Sequence, residues 1–293
     1  MHSYLRTIGF SEYTNSKMIK EILEYAERNG EIRKVTEDNE AVFGTIQKKF
    51  SESIGLYLFG EYNDDDEFEL LYYYPYLYSD IITTRDIPNI EKKVSKEAYA
   101  GVCEDLKIDV SIIFYLQNII DFKNELNTSF HRSSVEGVTF TGMSLNGKIL
   151  LPIHKNDKQK KENIEATNKR RNLIAAARNG DEEAIESLTL EDIDTYSMVS
   201  RRIVNEDIFS IVETYFMPYG IECDMYSVLG DILDCRIEVN NYTKEKIYVL
   251  TLNCNDLIFD VCINEKDLLG EPVVGRRFKG SLWLQGKIEF SNF

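Results

Sequence analysis

The sequence predicts an α+β protein with three parts: an amino-terminal, mostly antiparallel sheet with a helix, a central helical bridge, and a small carboxy-terminal OB-like β-barrel. Three observations carry this. Short β-rich runs separated by turn residues fill the first half, a basic stretch of helical composition comes after Ile153, and apolar and polar residues alternate with period two beyond residue 230. The expected division is an α+β domain at 1–154, a helical linker region at 155–229 and the barrel at 230–293.

In the first part, KMIKEILEYAER at 17–28 sets Met18, Ile22, Tyr25 and Ala26 at helical spacing, with Asn29-Gly30 as a stop. Strand-like runs come next: AVFGTIQKKF, IGLYLFGEY, EFELLYYYPYLY, AYAGVCEDL, KIDVSIIFYLQN and GVTFTGMSLNGKILLPI. The NDDD turn at 63–66 predicts a hairpin loop, and Asn146-Gly147 is the strongest two-residue hairpin signal in the chain. In the second part, residues 155–178 hold eight Lys or Arg against three Asp or Glu. Asn179-Gly180 ends one helix and Asp181 caps the next, which predicts a helical hairpin with Ala175, Ala176 and Ala184 at close packing positions. Helix continues until Pro218 and Gly220.

In the last part, Leu233, Cys235, Ile237 and Val239 alternate with Asp234, Arg236 and Glu238. Tyr248, Leu250, Leu252 and Cys254 share one face, as do Leu257, Phe259, Val261 and Ile263. Asn240-Asn241 and Asn255-Asp256 are the expected turns. From Phe278 to Phe290 the even positions are apolar or glycine and the odd ones polar except Trp283, so Gly280 and Gly286 fall on an inward face that bends or admits a large neighbour. Five strands of this kind, the last two taken as a pair, predict the barrel.

LRTIGF, YAGVCEDLKIDVSIIFYLQN, MPYGIECDMYSVLGDI and CINEKDLLGEPVVGRRFKGSLWLQGKIEF together resemble an uncharacterised clostridial (Firmicutes) family known only as a domain of unknown function, over nearly the whole chain. The resemblance implies a cytoplasmic protein of an anaerobic Gram-positive bacterium. It carries no activity and no catalytic residue.

Composition excludes more than it assigns. A formal net charge of −16 opposes generic affinity for nucleic acid or anionic lipid, so any such binding must be local. The longest apolar run, VSIIFYL, is far short of the ~20 residues of a membrane helix, and no secretory leader pattern opens the chain. Five singly spaced cysteines then read as reduced cytoplasmic thiols.

Chemical motifs are equally sparse. The chain has no CxxC, HExxH, GxSxG, GxxxxGK[ST] or GxGxxG. Cys223 and Asp224 with Cys254 and Asp256, and Cys103 with His131, are the nearest approaches to a metal set and a catalytic dyad, and core packing is the stronger reading of these cysteines. His2 and His154 are terminal and boundary residues, and NDDDE at 63–67 reads as a solvated turn rather than a calcium loop. No cofactor and no metal site are expected.

Two surfaces remain as candidate interfaces. Arg277, Lys279, Trp283 and Lys287 share the parity opposite the apolar face and are expected on the barrel's outer side, where basic and aromatic groups track single-stranded nucleic acid. The competing expectation is that Trp283 is covered by the helical region or the amino-terminal domain. Tyr72, Tyr74 and Tyr76 belong to the tyrosine-rich LLYYYPYLY, whose rings suit protein or carbohydrate contacts unless the 17–28 helix covers them. The sequence therefore reads first as a non-enzymatic cytoplasmic binding or adaptor protein with a protein partner. Single-stranded nucleic-acid binding is the alternative, and an enzyme without a readable motif is the third class.

Overall fold

The computed structural model describes residues 3–36, 42–92, 98–105, 111–127, 135–153, 157–219 and 224–291. After a short 3-10 turn at Ser3–Ile8, the Asn15 side chain accepts a hydrogen bond from Met18 N and starts α1 (Ser16–Asn29). Ile19, Ile22 and Ala26 form its buried stripe. Gly30 closes α1 with extended rather than left-handed backbone. Its lack of a side chain serves close approach, because a Cβ there would run into the Ile46 side chain.

Four antiparallel strands form the first sheet, in the order β1 (Glu31–Thr36), β2 (Val42–Lys49), β3 (Ile54–Tyr62) and β4 (Phe68–Leu77). Ile46, Leu56 and Leu58 pack in one cluster with the α1 stripe. The 63–67 hairpin loop forms as expected: Asn63 Oδ1 accepts from Asp65 N at 3.1 Å and Glu67 N at 2.9 Å, and Asp66 adopts a φ of +60°.

The second sheet takes strands from both ends of the chain. Its members are β5 (Asn89–Lys92), β6 (Tyr99–Cys103), β7 (Ile112–Leu116), β8 (Val135–Leu150), β9 (Tyr215–Pro218), β10 (Met225–Val239), β11 (Lys246–Cys254), β12 (Leu257–Asn264), β13 (Leu268–Leu269) and β14 (Arg277–Phe290). Helix α2 (Ile119–Asn127) comes after β7. The hydrogen-bonded path runs β13-β8-β12-β11-β10-β14-β7-β6-β5, with β9 on β10, and β8 pairs with β14 as well. The β8–β12 pairing is parallel, and the other pairings within β10–β12, β14 and β8 are antiparallel. The architecture is thus α+β, with an antiparallel sheet and a larger mixed one.

Three expectations fail for identifiable reasons. Beyond residue 230 the last pair of strands is one continuous fourteen-residue strand, β14, and its long partner β8 comes from residues 135–150. Asn146-Gly147 makes no hairpin. It lies inside β8, where the register with β14 shifts between Gly280 and Leu282, and a Cβ on Gly147 would overlap the Phe278 ring. The two-residue turn sits at Asn255-Asp256 instead, with φ of +50° and +63°, the double left-handed geometry that twisted hairpins favour. Third, β10 shifts register between Ile232 and Asp234. Past it, Cys235 stands opposite Leu250 and Glu238 opposite buried Ile247, on the face that Ser51 and Ser53 cover, and Ile237 is 57% exposed while Glu238 is 8% exposed.

The alternation of β11, β12 and β14 holds. Leu250, Leu252, Phe259, Val261 and Ile263 share one core cluster with Phe278, Leu282, Leu284 and Ile288. Gly286 admits a large neighbour on that side, the Phe114 ring.

The helical hairpin also holds: α3 (Asp157–Arg178) and α4 (Glu182–Arg202) meet at Gly180, whose φ is +85°, and Asp181 Oδ1 accepts from Glu183 N and Ala184 N. Ion pairs Lys169–Glu191 and Arg170–Asp192 link the two helices, and Arg171–Asp256 ties α3 to the β11–β12 turn. Helix does not continue to Pro218 as expected: after α4 a short α5 (Ile208–Ile211) leads into β9, whose Tyr215–Pro218 pair with β10. Among the described residues, no helix is long and apolar enough to cross a membrane.

Candidate functional site

A cavity of about 530 Å³ opens at the seam between the two sheets. Residues from widely separated places in the chain line it: Arg33 on β1, Gln47 and Lys49 on β2, Glu52 and Ser53 in the β2–β3 connection, Tyr57 on β3, Tyr76, Tyr78, Ser79 and Asp80 around the end of β4, Gln117, Asn118 and Asp121 entering α2, Arg236 and Glu238 on β10, and Lys287 on β14. They converge because the first sheet turns one face toward α1 and the other toward β7 and β14. Tyr57, Tyr74 and Tyr76 stand on that second face, where the Tyr57 ring lies 4.4 Å from Tyr76 and 5.4 Å from Tyr74.

The charged lining is balanced: Arg33, Lys49, Arg236 and Lys287 against Glu52, Asp80, Asp121 and Glu238. Most of it is fixed from within. Arg33 donates to Asp121, Tyr78 donates to Asp80, and Gln47 Nε2 donates to the Tyr76 hydroxyl at 2.8 Å. Lys287 pairs with Glu289 at 3.0 Å and lies 5.2 Å from the Tyr78 ring centroid.

Glu238 is the anchor. Burial alone would raise its pKa, but hydrogen bonds from the Ser51 and Ser53 side chains and the Ser53 backbone, with the Arg236 charge, outweigh it and hold the carboxyl below its ordinary range. Arg236 also reaches Asp260 at 3.1 Å. Burial pushes the Tyr57 phenol up to about 12, and Tyr78 rises to about 12 through its bond to Asp80 and burial. Both phenols therefore remain protonated donors at neutral pH. Among the described residues the Tyr57 hydroxyl and the Lys49 ammonium are committed to no hydrogen bond or ion pair.

Behind the cavity a buried amide relay locks the sheets together. Gln117 Nε2 donates to Gln285 Oε1 at 2.6 Å, Gln285 Nε2 donates to Pro75 O at 2.8 Å, and the Tyr74 hydroxyl donates to Gln117 O at 2.9 Å.

The residues expected to form an open basic–aromatic face are placed otherwise. Their parity is as read, with Trp283 opposite the apolar side of β14, but that side is covered. Trp283 is 7% exposed, its ring 5.1 Å from Tyr4 and 5.2 Å from Tyr115. Arg277 is 4% exposed, and its guanidinium donates to the carbonyls of Leu151, Val212 and Phe209. Burial lowers its pKa. Lys279 is half-buried, 4.6 Å from the Phe209 ring. No base could stack on that indole, so the exterior track is corrected to an internal seam.

Of these four residues, only Lys287 reaches the cavity, with Tyr76 from the tyrosine-rich run. Tyr72 is half-buried 4.8 Å from Phe59, and Tyr74 is fully buried beside Tyr115. The cover on these tyrosines comes from β7, not from α1. Sequence reasoning missed Arg33, Tyr57, Gln117, Asp121 and Glu238. Glu238 carried a misleading signal, since its alternation pointed outward.

The other candidate chemistries are not assembled. Burial raises the Cys103 thiol to about 12 and that of fully buried Cys254 further, which makes both poor thiolates. His2, His131, His154 and Cys223 lie outside the described residues. Among the described residues, no group of three or more His, Cys, Asp or Glu is gathered to hold a metal ion.

A family model described as "Domain of unknown function, E. rectale Gene description (DUF3881)" matches residues 5–286. No curated protein and no solved structure matches the chain.

Proposed function

We propose that this chain, which belongs to the DUF3881 family, acts by binding and not by catalysis, and that the cavity at the sheet seam holds a small, polar, uncharged or zwitterionic ligand of carbohydrate-like chemistry. The observation that carries this is the charge-balanced, internally bonded lining walled by Tyr57, Tyr76 and Tyr78. Aromatic faces take the apolar side of a sugar ring, and carboxylates, amides and guanidinium groups fixed beforehand take its hydroxyls without paying to be ordered. Among the described residues the lining contains no histidine or cysteine, and its most buried carboxylate, Glu238, is held ionised by serines, which favours a structural anchor over a proton shuttle.

The ring of pairings β8-β12-β11-β10-β14 reads further as an OB-type barrel, with one strand supplied by residues 135–150. Buried Cys103, Cys254 and Cys262 as free thiols fit a reducing, cytoplasmic setting.

Calorimetric and thermal-shift titration with a panel of neutral sugars, polyols, amino acids and nucleotides tests the ligand reading. One neutral or zwitterionic class should stabilise the wild type, by ~2.7 kcal/mol at a hundredfold excess over Kd. Tyr57→Phe and Lys49→Ala should each weaken that binding about tenfold with the fold intact. Binding confined to anionic nucleotides, or indifferent to both substitutions, contradicts the proposal.

A further inference from the structure

Helix α4 carries apolar side chains that stand exposed among the described residues. Ile185 is 48% exposed, Leu190 and Ile193 each 56%, and Tyr196 77%. At about 100° per residue, Ile185, Ile193 and Tyr196 fall within ~80° of one another. That stripe lies away from buried Ala184 and from Glu191, which bonds to α3, while Asp192, paired with Arg170 of α3, borders it. The row continues past the helix end with Ile203 at 46%, Val204 at 78% and Ile208 at 46% exposed. Such a row amounts to roughly several hundred Å² per molecule, the scale of a functional patch and close to the ~800 Å² per partner of an ordinary interface.

The charges at the two ends of α4 identify the occupant. Its first turn is acidic, Glu182 and Glu183, and its last turn carries Arg201 beside an Arg202 already paired with Glu206. A second α4 laid antiparallel places each acidic end against the other's basic end, whereas a parallel arrangement would oppose like charges along both ends. An antiparallel pair about a two-fold axis also brings the apolar stripe onto itself, as a closed isologous interface requires. Each molecule presents α4 already paired with α3, so two hairpins complete a four-helix bundle.

We propose that the α3–α4 hairpin is a dimerisation arm, and that the surface completing it is the α4 stripe of a second copy of this chain. The proposal is independent of the ligand reading of the cavity.

Sedimentation velocity and light scattering on the full chain, across a wide concentration range, test it. The wild type should populate a dimer by the micromolar range. Ile193→Asp with Tyr196→Asp should shift it to monomer by more than tenfold in Kd while leaving the circular dichroism spectrum unchanged, since both positions are exposed. Glu183→Lys should weaken the dimer, and adding Arg201→Glu should restore it. A wild type that stays monomeric into the high-micromolar range overturns the proposal. So does a dimer indifferent to the stripe substitutions, a charge swap with no rescue, or a larger open assembly.

Discussion

Strand β14 and helix α4 treat their residues in opposite ways. β14 buries what sequence alone would leave in water: Arg277 at 4%, Gln285 at 0% and Trp283 at 7% exposure. α4 exposes what sequence alone would bury, Ile193 at 56% and Tyr196 at 77%. The buried polar groups of β14 are satisfied within the chain, Arg277 by carbonyls and Gln285 by Gln117 and Pro75. Among the described residues, the exposed apolar groups of α4 have no such internal answer. Burial in this molecule is decided by which surfaces the topology brings together, and polarity alone does not forecast it.

Substitutions sharpen that contrast. The largest expected effect is in the core: Leu284→Ala, at a fully buried position, should lower stability by ~2–5 kcal/mol in urea denaturation. Ile193→Ala, measured at concentrations too dilute for association, should stay within ~0.5 kcal/mol of wild type. Equal losses at the two sites would erase the distinction between core and arm. Next, Arg277→Met should cost about 1–3 kcal/mol by stranding the carbonyls of Leu151, Val212 and Phe209. Unchanged stability there would mean that the guanidinium is not holding α5 against β14. Gly147→Ala should cost a similar ~1–3 kcal/mol, because the new methyl overlaps the Phe278 ring. A neutral result would return Asn146-Gly147 to the hairpin it resembles in sequence.

A smaller effect is expected with pH. The Glu238 carboxyl is held below its ordinary 4.5 by its serine and arginine partners. Its contribution is therefore complete above the ordinary value and is lost as pH falls through the lower value of the folded state. Glu238→Gln should flatten the acid limb of the stability curve while costing about 1 kcal/mol near neutrality. An acid limb identical to wild type would contradict the anchoring role.

Much of the architecture was legible from the residues. The 17–28 helix, the strands through residue 150, the 63–67 loop and the Asp181-capped helical hairpin are all explained by spacing and capping chemistry. The inward face of β14 was legible for the same reason, since period two survives along that strand. Relations between distant segments escaped. Nothing local in GVTFTGMSLNGKILL marks β8 as the neighbour of both β12 and β14, because strand pairing across more than a hundred residues is set by the whole packing. Nor does the alternation of 232–240 reveal that Glu238 lies on a covered face, since the serines that bury it come from the β2–β3 connection, far away in the chain. The cavity was hidden for both reasons. Tyr76 and Lys287 stood out as candidates, while Arg33, Tyr57 and Asp121 acquire meaning only when the two sheets meet.

The most direct test of that meeting uses the single tryptophan. If the polar face of β14 is sealed by Tyr4 and Tyr115, emission excited selectively at the indole should be blue-shifted, iodide should quench it scarcely at all, and oligonucleotides should leave it unchanged. A red-shifted emission that iodide quenches freely would show the seam open and contradict that sealing.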